Sequence, residues 1–111
     1  MATERSLNRI TLIGRVGADA QLKGTQEYPV VVFSVATTQA TKTDWHRISV
    51  FKPGLRTLAE NYVKQGSRLL VEGKLSYGVI NETPVTNIIA DDIIFLSKSS
   101  ETEREFIEDV E

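Results

Sequence analysis

The sequence has no cysteine and only one histidine, His46. Without cysteine, the chain can form neither a disulfide-stabilised secreted scaffold nor a zinc site with thiolate ligands. A single histidine also excludes a multi-histidine metal site, so we expect neither a metal nor another cofactor. No apolar run approaches the roughly 20 residues of a membrane-spanning helix, so we expect no membrane partner.

The composition is that of one small globular domain with an uneven charge. Of the 111 residues, 41% are hydrophobic, which is enough for one modest core. Residues 99–111 carry six acidic side chains and one arginine, a net charge of −5, so residues 1–98 carry +3. We expect residues 1–97 to form the domain and residues 98–111 an acidic, flexible tail. The basic body favours a polyanionic partner, although ordinary charge scatter explains it equally well.

The residue pattern predicts an all-β fold with one helix. Alternating and β-branched residues predict five strands, at residues 8–16, 30–37, 43–51, 68–77 and 85–96. Residues 18–24 are a candidate extension of the first strand, with a bulge expected at Gly73 and an interruption at residues 90–92. Helical spacing predicts a helix ending near Gly66 from Leu55, Leu58, Ala59, Tyr62 and Val63. Five strands with a helix between the third and fourth form the order of an OB-fold, a small Greek-key barrel.

The sequence offers no arrangement suited to catalysis. His46 is the only histidine base, and Ser49, three residues away on the predicted strand, points to the opposite face. Asp91 and Asp92 are neighbours on a predicted strand, so they also point apart and form no carboxylate pair. The glycine pattern at residues 14–17 lacks the Lys-Ser/Thr ending of a phosphate loop. We therefore expect no catalytic residue and no enzyme.

The third predicted strand carries the strongest binding signal. Alternation places Trp45, Arg47 and Phe51 on one face, while His46 shares the other face with two aliphatic residues. Bases can stack on the two rings, and the guanidinium can meet a phosphate or stack on a base. The alternative is that both rings belong to the core and Arg47 lies at its edge. The aliphatic residues on the opposite face favour binding, since both faces of a barrel strand are rarely core.

Other basic and aromatic residues are candidates for contacts with phosphates or bases. Each of the basic residues is equally well explained as an ordinary surface residue. Tyr77 is expected at the end of the fourth strand, beside the hairpin where an OB-fold commonly binds nucleic acid, or as an aromatic at the strand rim. The full set of these candidates is Arg9, Arg15, Lys52, Arg56, Lys74 and Tyr77.

Several short motifs follow one another along the chain. They are SLNR at 6–9, LIGRVG at 12–17, WHRISVF at 45–51, YVKQGSR at 62–68 and VEGK at 71–74. Over residues 5–97 the sequence resembles the single-stranded DNA-binding proteins of the bacterial and mitochondrial type. The stretch IIADDIIFL at 88–96 is most similar to the animal mitochondrial members.

The resemblance implies an OB-fold homotetramer that binds, protects and wraps single-stranded DNA without sequence preference. It implies base stacking by Trp45 and Phe51, phosphate contacts by basic residues such as Arg47, and a subunit-interface role for His46. It also implies a role in mitochondrial DNA replication and maintenance, with the replication helicase and polymerase as candidate partners. The alternative is a non-wrapping, oligomeric accessory or adaptor protein of a replication complex, against which the shared face of Trp45 and Phe51 argues.

The resemblance also implies a location in the mitochondrial matrix, at the nucleoid. The amino terminus shows neither the apolar stretch of a secretory signal nor the arginine-rich stretch of a transit peptide. We therefore expect the transit peptide to be absent from this chain.

Three features depart from the family. Residues 36–44 and 78–84 are shorter than the loops that members usually have at these places. The usual first loop brings a further stacking aromatic, and this chain has none there. The tail ends in IEDVE, without the Pro-Phe ending with which bacterial relatives recruit partner proteins, so that recruitment is not expected here.

Overall fold

The computed structural model of the chain describes residues 4–97. These form an all-β fold with one helix, as the sequence predicts. The elements are β1 (Ile10–Val16), β2 (Gln21–Gly24), β3 (Pro29–Gln39), β4 (Lys42–Val50), α1 (Pro53–Tyr62), β5 (Arg68–Ile80) and β6 (Thr83–Ser97). The tail expected at residues 98–111 lies outside the described residues. No helix among residues 4–97 is long and apolar enough to cross a membrane.

All six strands belong to one sheet, in the order β1-β5-β6-β4-β3-β2. The end of β1 also pairs with β3, because Arg15 lies opposite Ala36 and Val16 opposite Val35. Strands β1, β5, β6, β4 and β3 therefore close into a ring. The ladders are antiparallel except for the short parallel pairing of β4 with β6.

The expected count of five strands differs from the six in the structure. The segment considered as an extension of the first strand contains a separate strand, β2, which pairs with β3. Between β1 and β2 the backbone changes partners. The Gly17 amide donates to the Ser34 carbonyl at 3.1 Å, and the Ala20 amide donates to the Val63 carbonyl at 3.0 Å. Because these bonds tie residues 17–20 to β3 and to the end of α1, the ladder of β1 stops before β2 begins.

The core fills the inside of the ring. Alternate residues of the strands point inward, among them Ile48 and Val50 of β4, which are fully buried. Ala59 and Val63 close one end and are also fully buried. The helix is shorter than expected, since Val63 already has extended backbone. Tyr62, expected in the apolar stripe, is 63% exposed.

The two segments expected as short loops are strand instead. Strands β3 and β4 continue to a two-residue turn at residues 40–41, and β5 and β6 to a turn at residues 81–82. Ala40, Asn81 and Glu82 have positive φ angles of 55°, 50° and 66°. Left-handed backbone at the turn residues matches the right-handed twist of two-residue hairpins.

The bulge expected at Gly73 is confirmed. Glu72 lies opposite Asp92 but Gly73 lies opposite Ala90, which leaves Asp91 as the extra residue on β6. A side chain at Gly73 would meet the Ile89 carbonyl oxygen, so the close approach of β5 and β6 requires glycine. The interruption expected at residues 90–92 is this bulge, and β6 continues through it.

Candidate nucleic-acid interface

The outward face of β2, β3 and β4 is ordered in rows, because residues opposite one another on neighbouring strands share a face. We call this surface the Trp45 face. Its rows are Arg15-Ala36-Trp45, then Ser34-Arg47, then Gln21-Val32-Ser49, then Lys23-Val30. Ser49 and Val32 in the middle are buried, whereas the basic and aromatic residues at the two ends are exposed.

Trp45 lies on this face with 62% of its surface exposed. A Cβ atom at Gly17 would collide with its ring carbons Cζ3 and Cη2. The neighbouring residues across the ladder are also small, Ala36 and Ser34. One edge of the indole is therefore supported by backbone, and most of the ring is open to solvent. This exposure is incompatible with the alternative that Trp45 is a core residue.

Gly17→Ala should displace the Trp45 ring. The new methyl group and the indole cannot occupy the same space, and the indole can move at small cost because it is exposed. We expect a shifted tryptophan emission maximum with little change in the melting temperature. An unchanged emission spectrum would show that the ring does not rest on Gly17.

Arg47 is exposed on the Trp45 face, in the row next to that of Trp45. It lies opposite Ser34 on β3 and in register with Asn87 on β6. Within residues 4–97, its guanidinium has no hydrogen bond and no ion pair. The group is free to meet an anion in front of the sheet.

Phe51 is not part of the strand, in contrast to the sequence prediction. Strand β4 ends at Val50, since Pro53 opens the helix three residues further on. The Phe51 carbonyl accepts a hydrogen bond from Arg56 Nη1 at 2.8 Å, which fixes the turn into α1. Its side chain is half exposed, one residue after Val50, which pairs with Val31.

Three of the basic candidates already have partners in the chain. Lys52 Nζ lies 3.4 Å from Asp91 Oδ1 in an exposed ion pair, a contact that contributes little stability. Arg15 Nη1 donates to the Gly66 carbonyl at 2.9 Å. Arg56, as above, donates to Phe51. These side chains add positive charge near the face, but each has less freedom to reorient than Arg47.

Arg9 and Lys74 lie further round the ring. The Asn8 side chain donates to the Leu75 carbonyl at 2.8 Å and accepts from its amide at 2.9 Å, which ties this segment to β5. Lys74 lies opposite Ile89, which is in register with Ser49. Lys74 is thus on the outward side, two strands from β4.

The structure does not bring Tyr77 to this face. Strand β5 continues three residues past it, so Tyr77 is not at the strand end as expected. Alternation places the Tyr77 side chain on the face of β5 that Leu75 shares, opposite to the outward face that carries Lys74. It is 74% exposed because the hairpin extends beyond the core.

His46 is half-buried and faces away from Trp45, as alternation requires. Its Nε2 lies 2.8 Å from Thr37 Oγ1 on the neighbouring strand. Residues 4–97 contain no group of three or more His, Cys, Asp or Glu side chains that could hold a metal ion.

Sequence reasoning missed Lys23. Its place on the Trp45 face follows from the pairing of β2 with β3, where it lies opposite Val30. With Arg56 it also lines a cleft of about 540 Å³ between β2 and α1. All four residues of β2 are exposed, so no apolar alternation marks which side of this strand faces the core. Only its positive charge could have drawn attention to it.

Fold and surface together define an all-β protein with one helix that presents exposed aromatic and basic side chains on one sheet face. The chain belongs to the single-strand binding protein family, whose family model matches residues 7–96.

Two relatives and two solved structures show the extent of the likeness. The chain is 49% identical over 106 residues to a mitochondrial single-stranded DNA-binding protein of Drosophila melanogaster, covering 83% of this chain and 73% of that protein. It is 46% identical over 118 residues to the protein of the same name from Pongo abelii, covering 87% and 80%. A Plasmodium falciparum SSB, solved with single-stranded DNA, is 36% identical with a TM-score of 0.74, covering 86% and 100%. The Saccharomyces cerevisiae mitochondrial single-stranded DNA-binding protein is 19% identical with a TM-score of 0.76, covering 86% of this chain and 100% of that chain. This is a likeness of fold.

Proposed function

We propose that this chain is a mitochondrial protein that binds single-stranded DNA without sequence preference. The observation that carries the proposal is the exposed Trp45 ring beside the free Arg47 guanidinium on one face. Bases stack on Trp45 and Phe51, and their phosphates meet Arg47 and the surrounding basic residues. The relatives named above support this, since the Plasmodium falciparum protein was solved with single-stranded DNA.

The same proposal includes the finer features of the family. The closed ring is an OB-fold Greek-key barrel within residues 1–97, and the acidic residues 98–111 are not needed for DNA contact. The protein is not an enzyme. It wraps DNA during mitochondrial DNA replication and maintenance at the matrix nucleoid, alongside the replication helicase and polymerase. The mitochondrial names of the relatives support this location.

Quenching of the single tryptophan by a poly-thymidine oligonucleotide tests the proposal. Affinity should fall as salt rises, because basic side chains displace counterions from the phosphates. For single strands, the slope of log K against log salt is about −0.7 for each neutralised phosphate. A duplex of equal length should bind more weakly, since its bases are unavailable for stacking. A slope near zero, or equal affinity for the duplex, would contradict the proposal.

Lys23→Ala should reduce this salt slope by about 0.7, the contribution of one phosphate contact. The expectation rests on the position of Lys23 in the last row of the Trp45 face. Lys64→Ala is the matched control, because Lys64 is exposed beyond the end of α1 and belongs to no row of that face. An equal effect of both variants would remove Lys23 from the site.

The homotetramer is part of the proposal, and an exposed apolar row supports it. Ile13, Leu70 and Ile94 lie side by side on the outward surface of β1, β5 and β6. Ile13 and Ile94 are 47% and 48% exposed. Burying such side chains against another copy removes apolar surface from water. His46 is proposed to contribute to a subunit contact at the other end of the ring.

Ile13→Lys should dissociate the assembly. A lysine in the middle of an apolar contact would bury its charge or break the contact. Light scattering should then report a lower mass, while circular dichroism retains the strand signal. Thr11→Lys, on the same face of β1 but outside the apolar row, is the control. If Ile13→Lys keeps the mass of the unmodified protein, this row is not a subunit interface.

A further inference from the structure

Asn87 occupies the position beside Arg47 on the Trp45 face. The parallel ladder sets Asn87 of β6 in register with Arg47 of β4, and Ser76 of β5 lies on its other side. Neighbouring strands are about 4.8 Å apart, so the Asn87 side chain is adjacent to the Cβ end of the Arg47 side chain. Asn87 was not among the residues that the sequence indicated.

The side-chain oxygen of Asn87 is buried and unpaired. Oδ1 is closed to solvent and has no hydrogen-bond partner in the described part of the chain. A buried acceptor without a donor destabilises a fold, because it gave up its bonds to water on folding. Unsatisfied polar groups of this kind are rare in native proteins, and functional sites are one of the places where they occur.

A suitable donor belongs to the residue paired with Asn87 on β4. The Arg47 guanidinium offers five N–H groups in a planar fork, and none of them is bonded within residues 4–97. One edge of that fork can donate to Asn87 Oδ1 while the other edge meets a phosphate. The two groups are therefore complementary, and each lacks what the other supplies.

We propose that Asn87 is a positioning residue for Arg47 in the DNA complex. When single-stranded DNA lies on the Trp45 face, the Arg47 guanidinium donates to Asn87 Oδ1. This bond holds the guanidinium in one orientation towards the phosphate. The side-chain oxygen of Asn87 is closed to solvent, so it is placed to hold Arg47 and not to bond DNA directly. The proposal rests on the DNA binding proposed above and adds a residue that holds the cation in place.

A double-mutant cycle with Asn87→Leu and Arg47→Ala tests this role. Leucine has the same number of side-chain heavy atoms and the same branching, and it removes the unpaired oxygen, so the melting temperature should stay the same or rise. Affinity for poly-thymidine should nevertheless fall about ten- to a hundredfold in the Asn87→Leu variant, the loss of one charge-assisted bond. In the Arg47→Ala background the same substitution should change affinity less than about twofold. Asn61→Leu, on the exposed surface of α1, is the control and should not change affinity.

The outcomes separate this inference from the proposed function. If the unmodified protein does not bind poly-thymidine, the proposed function fails. If it binds and Arg47→Ala weakens binding, but Asn87→Leu has the same effect in both backgrounds, the positioning role alone is overturned. A loss of affinity that is accompanied by a lower melting temperature also overturns it, because Asn87 would then be structural. Higher stability with weaker binding, dependent on Arg47, supports it.

Discussion

Replacing Trp45 with alanine should weaken the binding of a poly-thymidine oligonucleotide by about 1–3 kcal/mol per subunit site, the measured range for stacking of one base on an aromatic ring. The fold should tolerate the change, because the ring is 62% exposed and one of its edges lies against Gly17. Melting temperature and mass should therefore stay nearly the same. The measurement is a titration at constant salt with a labelled oligonucleotide, since the variant has no tryptophan of its own.

His46→Ala is the matched control on the same strand. His46 faces the other way and bonds to Thr37, so its loss should disturb assembly or stability before it disturbs DNA contact. Mass, melting and affinity are measured for both variants side by side. If Trp45→Ala melts or dissociates the protein while His46→Ala selectively loses DNA, the assignment of the two faces is inverted.

Gly14→Ala should destabilise the protein by about 1–3 kcal/mol, the usual range for overpacking a close-packed site. Gly14 precedes the point where β1 meets β3 and closes the ring. A Cβ atom there would meet the Ala36 carbonyl oxygen and the Val35 Cγ1 atom. Backbone cannot move aside as a flexible side chain can, so the closure itself must open. Chemical denaturation with urea measures the change.

Gly54→Ala is the same chemical change in a place with room for it. Gly54 lies in the first turn of α1, and a Cβ atom there would have nothing within 4 Å. Alanine in a helix is favoured over glycine by roughly 0.5–1 kcal/mol, so this variant should be more stable than the unmodified protein. Effects of the same sign at both positions would show that the loss of glycine, and not the lack of space around Gly14, governs the result.

The orientation of the central strand could be read from the sequence for a physical reason. Ile48 and Val50 alternate with polar residues, and the face of a barrel strand that points into the core is the apolar one, so the direction of Trp45 and Arg47 followed. The all-β class and the helix could be inferred in the same way, from periodicity. The sequence predicted that Trp45, Arg47 and His46 would divide between two faces, and they do.

Other features depend on pairing that periodicity does not contain. Lys23 reached the face through the register of β2 with β3, and a fully exposed strand has no apolar pattern to reveal its register. Tyr77 was misplaced because β5 continues into a hairpin that leaves the core, where burial no longer imposes alternation. The partner of Lys52 is a tertiary contact and that of Arg56 depends on the turn into α1, so neither could be inferred from charge.

The two-residue turns at the ends of the β3–β4 and β5–β6 hairpins also bear on how this fold can change in length during evolution. Each turn lies where the ladder has already left the core, so extra residues there would shift no register inside the ring. The entropy of closing a loop grows slowly with its length, by about 0.6 kcal/mol for each doubling. Insertions at residues 40–41 or 81–82 would also relieve the left-handed backbone of Ala40 and Glu82. The hairpin tips are therefore the places where this architecture can gain or lose segments at the least thermodynamic cost.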